Sequence, residues 1–114
     1  MIIPKLIDYL SDNLEVFVGL EAPEQTTGYV LIDQTGSANR NHITTTTVAV
    51  QSYGASLYEA YVLNRIVQDV MLSFVEEPEV SSVKLETDYN FTNTATKQYR
   101  WQAVYQITHY LGGN

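Results

Sequence analysis

The chain has 114 residues, a net charge of −7 and no cysteine. This length fits a single domain over residues 1–114, and a 45% hydrophobic content can bury a core. The lack of cysteine excludes disulfides and thiolate metal sites, and the acidity disfavours nucleic-acid binding, which depends on neutralising phosphates. No apolar run is long enough to span a membrane, and the N-terminus has no signal-peptide pattern. We therefore expect a protein of the cytoplasm, or of a particle assembled there, that makes no membrane contact.

The first half of the chain predicts one helix and three strands. Apolar residues at helical spacing predict a helix over residues 2–12, and a short apolar run predicts a strand over 14–18 that ends at Gly19. Two further strands are predicted over 29–34 and 43–53. The segment between them, 35–42, is predicted as a loop because it contains a glycine and two asparagines. The four threonines that open the third strand predict that one end of this strand leaves the core.

The second half predicts one long helix and two strands. Ser56 and Glu59 match a capping box at the start of the helix, which should end near Pro78. This helix is apolar over more than half of its circumference, so we expect it to pack on a sheet and on the first helix. Strands are predicted over 80–89 and 98–111, with a polar loop over 90–97. The elements together predict an α+β fold: a four- to five-stranded, mostly antiparallel or mixed sheet with two helices on one face.

The last predicted strand is unusually long for a small domain. Residues 98–110 in extended conformation would span roughly 40 Å, whereas a typical strand has five or six residues. Such a strand should run past its core or bend at a bulge, and an overhang would offer unpaired backbone groups to a neighbour. We therefore expect residues 98–110 to help join subunits.

Residues that could carry out catalysis are not grouped in any recognisable pattern. Ser37 and Ser56 lack the surroundings of a nucleophile elbow, and Gly36 is not part of a phosphate-binding loop. Glu86 and Asp88 are predicted on one strand face, where they could bind a hard cation, although no third acid is within reach. His109 is predicted on the apolar face of the last strand. The sequence thus predicts no catalytic, cofactor-binding or metal-binding residues, and we do not expect an enzyme.

Arg40 stands out among the charged residues. It is the only basic residue between Lys5 and Arg65. An arginine on an otherwise neutral loop suits bidentate pairing with a carboxylate of a partner, although a surface arginine or an intrachain ion pair would fit as well.

The order of several segments resembles a known family. A strand ends in Asp33-Gln-Thr-Gly36 and is followed by Arg40-Asn-His42, and the segment Thr47-Val-Ala-Val-Gln-Ser-Tyr-Gly-Ala-Ser56 runs directly into a helix. The chain closes on Tyr99-Arg-Trp-Gln-Ala-Val-Tyr-Gln-Ile-Thr108. This arrangement, over residues 2–110, resembles the tail terminator and tail-completion proteins of long-tailed bacteriophages and related prophages. The threonine-rich start of the third strand departs from the family pattern.

The resemblance implies a structural virion protein that forms a ring, expected to be a hexamer. Such a ring caps the head-proximal end of the tail tube, ends its polymerisation and offers a head-tail joining surface. The implied partners are other copies of the chain, the tail tube protein and the head-tail connector protein, and the implied location is the virion tail, assembled in the host cytoplasm. By this resemblance the loops 35–42 and 90–97 contact neighbours. The interface residues expected in and beside these loops are Thr35, Ser37, Asn39, Arg40, Asn41, His42, Asn93, Lys97 and Arg100.

The acidity is concentrated in the helical parts of the chain. Glu59, Asp69, Glu76 and Glu77 are expected to face the channel of such a ring, where they would let DNA pass without specific binding. Ordinary solubility charge would produce the same pattern. Two alternatives stay open: a head-completion or neck protein, and a small cytoplasmic binding module of ferredoxin-like build, such as an immunity or regulatory protein.

Overall fold

A computed structural model describes residues 2–24 and 27–110. The fold is α+β, as predicted, with five strands and two α-helices. A short 3-10 helix, Phe74–Glu76, extends the second α-helix. In chain order the elements are α1 (Ile2–Asn13), β1 (Phe17–Gly19), β2 (Tyr29–Arg40), β3 (Ile43–Gly54), α2 (Leu57–Ser73), β4 (Val80–Asn90) and β5 (Tyr99–Tyr110).

The five strands form one mixed sheet in the order β1-β2-β3-β5-β4. Only β1 and β2 are parallel, and the other neighbouring pairs are antiparallel. β3 and β5 pair along their full lengths, from Ile43 opposite Tyr110 to Gly54 opposite Tyr99. The β2–β3 turn and the β4–β5 connection therefore lie at opposite ends and on opposite sides of the sheet.

Both helices pack on one face of the sheet, as predicted. α1 buries Leu6 and Leu10 completely, and α2 buries Ala60, Val67 and Met71. Alternate residues of β2, β3 and β5 supply the sheet side of this core because side chains in a strand alternate between the two faces. These sheet residues are Val30, Ile32, Val48, Val50, Ala103, Tyr105 and Ile107.

The predicted loop 35–42 is wrong, because β2 continues through most of it. After a bulge at Thr35, residues 36–40 pair with residues 47–43 of β3, which satisfies their backbone groups on that side. The turn consists of Asn41 and His42, with φ angles of 52° and 66°. Two successive residues with positive φ are typical of a type I′ hairpin turn, whose twist matches that of the flanking strands. Pairing with the threonine-rich start of β3 thus replaces the predicted loop by a hairpin, the β2–β3 hairpin.

The predicted overhang of the last strand is also wrong. β5 is an interior strand, and β3 and β4 pair with it on its two sides. The described bulges lie in β2 and β4, and the sheet accommodates the length of β5 because the domain is elongated, at 45 × 24 × 22 Å. Residues 99–110 therefore have no free backbone edge with which to join subunits, and Leu111 lies outside the described residues.

Contrary to the prediction, the threonine-rich end of β3 does not leave the core. Thr44 and Thr46 are buried beneath the helix-bearing face, where the Thr46 hydroxyl lies 2.9 Å from Nε2 of His109. β1 is shorter than predicted and begins only at Phe17.

The start of α2 agrees with the prediction. The Ser56 hydroxyl accepts a hydrogen bond from the backbone N–H of Glu59 at 3.1 Å, which caps the helix. The helix packs less extensively than predicted, because one stripe is buried and much of its remaining apolar surface stays exposed.

Candidate assembly surfaces

Six of the predicted interface residues lie on the β2–β3 hairpin: Thr35, Ser37, Asn39, Arg40, Asn41 and His42. All six side chains are exposed. Two of them are also used within the hairpin, because Asn39 Oδ1 accepts a hydrogen bond from Thr44 at 2.7 Å and the Thr35 hydroxyl donates to the carbonyl of Thr47 at 3.4 Å. The hairpin thus presents a polar surface on a regular strand rather than on an irregular loop.

The other three predicted interface residues lie at the β4–β5 connection and also shape it. Asn93 Oδ1 accepts hydrogen bonds from the backbone N–H groups of Ala95 and Thr96, and Lys97 takes a positive φ of 55°. Arg100 donates to the carbonyl of Phe91 at 2.7 Å, and its guanidinium lies 4.6 Å from the centre of the Phe91 ring. Arg100 therefore holds the connection in place, whereas Lys97 is exposed.

The predicted channel acids are distributed along α2 and the 3-10 helix. Glu59, Asp69 and Glu76 are exposed. Glu77 is half-buried and lies 3.7 Å from Nζ of Lys5, which also contacts Glu79 at 2.9 Å. Glu77 is thus partly neutralised within the chain, and the other three acids are available to a surface outside it.

An apolar surface that the sequence analysis did not identify runs along one flank of α2. Leu57, Tyr61 and Leu72 are 39–44% exposed and fall within about 60° of the helix circumference. Leu85, 37% exposed, is on the helix-bearing face of β4. We call these four residues the α2–β4 strip. The sequence predicts a helix that is apolar over more than half of its circumference, which is more than one buried stripe requires. This excess was the signal for an exposed apolar surface.

A partly buried polar cluster fixes the same flank of α2 to the sheet. Asp88 Oδ2 accepts hydrogen bonds from Asn64 at 3.0 Å, Gln68 at 2.8 Å and the indole N–H of Trp101 at 3.3 Å. Asn64 is fully buried although it is polar.

The predicted placement of Glu86 and Asp88 on one strand face is wrong. A bulge between Leu85 and Thr87 shifts the register of β4, so Asp88 turns towards α2. Glu86 instead accepts a hydrogen bond from Gln106 at 2.9 Å, on the face without helices. The two carboxylates therefore cannot share a cation as the sequence suggested.

His109 lies on the helix-bearing face, as predicted, and is 9% exposed. Burial lowers the pKa of His109 below its ordinary value of 6.5, against the opposing influence of the nearby Glu79 carboxylate. The neutral imidazole is therefore the form that the folded protein favours.

Stability should accordingly fall as the pH decreases below about 6.5, the ordinary pKa of histidine. The unfolded chain gains a proton on His109 near pH 6.5, whereas the folded chain gains it only at a lower pH. The contribution of the neutral His109 to stability is therefore fully present above pH 6.5 and is lost as the pH falls through the lowered pKa. We expect His109→Gln to flatten this part of the pH profile in urea unfolding, while His42→Gln, a change in the exposed turn, leaves it as in the wild type. An unchanged slope in His109→Gln would contradict this assignment.

The part of the chain that the structure describes holds no group of three or more histidine, aspartate or glutamate side chains placed to bind a metal. A pocket of about 300 Å³ lies where β2, β3 and the β4–β5 connection meet, with Tyr29, Tyr53, Lys97 and Tyr99 in its lining. This volume is at the lower end for small-molecule sites. Among residues 2–24 and 27–110, no helix is long and apolar enough to cross a membrane.

The protein is a small α+β domain with a polar β2–β3 hairpin, a polar β4–β5 connection at the opposite corner of the sheet, and an exposed apolar flank on α2. No family model matches the chain, and no curated protein is similar to it in sequence.

Proposed function

We propose that the protein is a structural virion protein that forms a ring at the head-proximal end of a phage tail tube. The ring would end polymerisation of the tube and provide the surface for head-tail joining. The resemblance in segment order to tail terminator proteins supports this proposal. A head-completion or neck protein, which would assemble by similar contacts at the adjoining position, is the nearest alternative.

The observation that carries the proposal is the exposed apolar flank of α2. Besides the α2–β4 strip, Tyr58 on the same helix is 75% exposed. Arg65 and Gln68 lie between the two ends of the strip, but several large apolar side chains exposed on one side of a small domain favour a protein contact over a solvated face. Assembly with other polypeptides would bury it.

The placement of the polar surfaces suits a head-to-tail contact between copies. The β2–β3 hairpin and the β4–β5 connection lie at diagonally opposite corners of the sheet. In a closed ring each copy presents one surface to the neighbour on one side and a different surface to the other. We propose that Arg40 and the hairpin form one of these surfaces, and that Asn93 and Lys97 belong to the other.

The channel acids are part of the same proposal. Glu59, Asp69 and Glu76 carry exposed carboxylates that would repel the phosphates of DNA and limit its adhesion. Glu77 would contribute less because Lys5 lies beside it. If an image of the assembled ring places all of these acids on its outer wall, this part of the proposal is wrong.

The variant Leu72→Asp tests whether the α2–β4 strip is an assembly interface. A buried charge at an interface is costly, so we expect this variant to lose ring formation and tail attachment. Since Leu72 is exposed in the single chain, its free energy of unfolding should change by no more than about 0.5 kcal/mol. Attachment is measured by co-sedimentation with tail tubes.

The matched control is Ile66→Asp. Ile66 is equally exposed on the same helix but lies about 120° around it from Leu72. Attachment that survives Ile66→Asp and fails in Leu72→Asp assigns the contact to the strip. Equal attachment of both variants and the wild type would show that the strip is not an interface.

A further inference from the structure

One sheet edge is open over most of its length. β1 pairs with β2 only at Tyr29–Leu31, and no other described strand lies beside β2. From Ile32 to Arg40 the outer backbone groups of β2 therefore have no strand partner among residues 2–24 and 27–110. An edge of this kind is a template for pairing with another chain.

The two edges of the sheet differ in how they are protected. β4, at the other edge, has two bulges and three charged side chains, Lys84, Glu86 and Asp88, which are the usual devices against edge-to-edge pairing. In β2 the stretch from Gly36 to Asn39 is regular, uncharged and built of small or short polar residues. β2 has one bulge, at Thr35, and its two charged residues, Asp33 and Arg40, lie outside this stretch. The less protected edge is thus the one on the β2–β3 hairpin.

We propose that this edge pairs antiparallel with the same edge of a second copy, in a two-fold register centred on Ser37. Thr35 is the bulged residue, so the successive sheet positions of β2 are 33, 34, 36, 37, 38, 39 and 40, opposite residues 49 to 43 of β3. Ser37 is the middle position of these seven. A two-fold axis there places Asp33 opposite Arg40 of the second copy, and Gln34 opposite Asn39.

The side chains are complementary in this register. Asp33 and Arg40 point to the same face of the sheet, because their partners Ala49 and Ile43 are an even number of residues apart. Because of the two-fold symmetry, the Asp33–Arg40 ion pair forms twice, and the amides of Gln34 and Asn39 face each other on the other side of the sheet. Gly36 and Ala38 at the centre present no bulk. Opposite charges on facing residues favour a strand pair, whereas like charges oppose it.

Asp33 and Arg40 are also free to make these contacts. Both are exposed, and neither makes an ion pair or a side-chain hydrogen bond within the described residues. Their substitution should therefore leave the fold of the single chain unchanged. The contact itself is small compared with stable protein interfaces, so the dimer is weak and must be measured up to millimolar concentration.

This inference does not rest on the proposed function. A two-fold contact closes at two copies, whereas a ring requires a head-to-tail contact between different surfaces. Both contacts would use Arg40 and the β2–β3 hairpin, so one hairpin cannot make the two contacts at the same time. A dimer could therefore exist without ring formation, and a ring without this dimer.

The test is a charge exchange on the full chain, followed by sedimentation velocity at low ionic strength. Asp33→Arg alone places two arginines opposite each other at both ends of the paired strands, and Arg40→Asp alone places two aspartates there. Each should raise the dimer dissociation constant about tenfold. The double variant D33R/R40D should restore the wild-type constant, and an equimolar mixture of the two single variants should form a mixed dimer.

A cross-link checks the register independently, since the chain has no cysteine. Ser37→Cys places two thiols opposite each other, so oxidation should give a covalent dimer. Gln34→Cys is the control, because its thiols would be four sheet positions apart, about 14 Å, beyond disulfide reach.

Three results would overturn the proposal: a wild-type chain that stays monomeric at about 1 mM, a dimer that neither single exchange weakens, or equal cross-linking by both cysteine variants. Rings formed by a chain that shows no dimer at about 1 mM would overturn the dimer and leave the proposed function standing.

Discussion

Replacing Asp88 by alanine is expected to lower the free energy of unfolding by about 3 kcal/mol. The change removes the only described acceptor of the Asn64, Gln68 and Trp101 donors. Asn64 is fully buried, so its amide would keep an unsatisfied N–H group, which costs more than a lost surface hydrogen bond. Urea unfolding of the purified variant measures the change.

Two further variants test whether the lost hydrogen bonds cause this destabilisation. Asp88→Asn keeps one acceptor oxygen of the same shape, and we expect it to lose less than half as much stability. Asp69→Ala removes an exposed acid from α2, the helix that the cluster holds, and should stay within about 0.5 kcal/mol of the wild type. If Asp88→Ala is no more destabilising than Asp69→Ala, the cluster does not anchor α2.

Gly54→Ala is expected to have an effect of similar size, about 3 kcal/mol, for a steric reason. Gly54 ends β3 directly before α2, and a Cβ atom there would lie 2.6 Å from the backbone nitrogen of Ala60 and 2.9 Å from the carbonyl carbon of Glu59. Both are backbone atoms of the first helical turn, so relief requires movement of the helix itself. Thermal and urea unfolding should both show the loss.

Gly36→Ala is the matched control for this prediction. Gly36 also lies in a strand, and an added Cβ there meets nothing within 4 Å. Reduced freedom of the unfolded chain should leave this variant equal to the wild type or up to about 1 kcal/mol more stable. Equal losses in the two variants would show that the close approach of β3 to α2 is not the cause.

Local signals predicted most of the elements correctly. The apolar spacing of α1, the Ser56 cap of α2 and the alternation in β3 and β5 depend on residues close together in the chain. The helix-bearing face of the sheet followed from that alternation. These signals were sufficient for the fold class and for the approximate limits of three strands, β3, β4 and β5.

The errors depend on contacts between distant segments. The segment 36–40 is polar and has little strand propensity, and it is extended because residues 43–47 pair with it. Asn41 was a usable signal, because asparagine favours the positive φ of a type I′ turn. The interior position of β5 depends on strand order, which its own length does not reveal.

The candidate surfaces were predicted in part. Hairpin residues such as Arg40 were recognised as exposed and polar, but their place on an open strand edge required the sheet topology. The inward turn of Asp88 results from a bulge that no local pattern announced. The α2–β4 strip combines residues from two elements, so only the packed structure brings it together.

The central claim is that this chain caps a tail tube, and electron microscopy of the protein mixed with cognate tail tubes tests it most directly. We expect rings, of six copies by the family resemblance, at one end of each tube, and tubes whose growth stops once the ring is bound. Tubes with bare ends that continue to lengthen in a molar excess of the protein would contradict the claim.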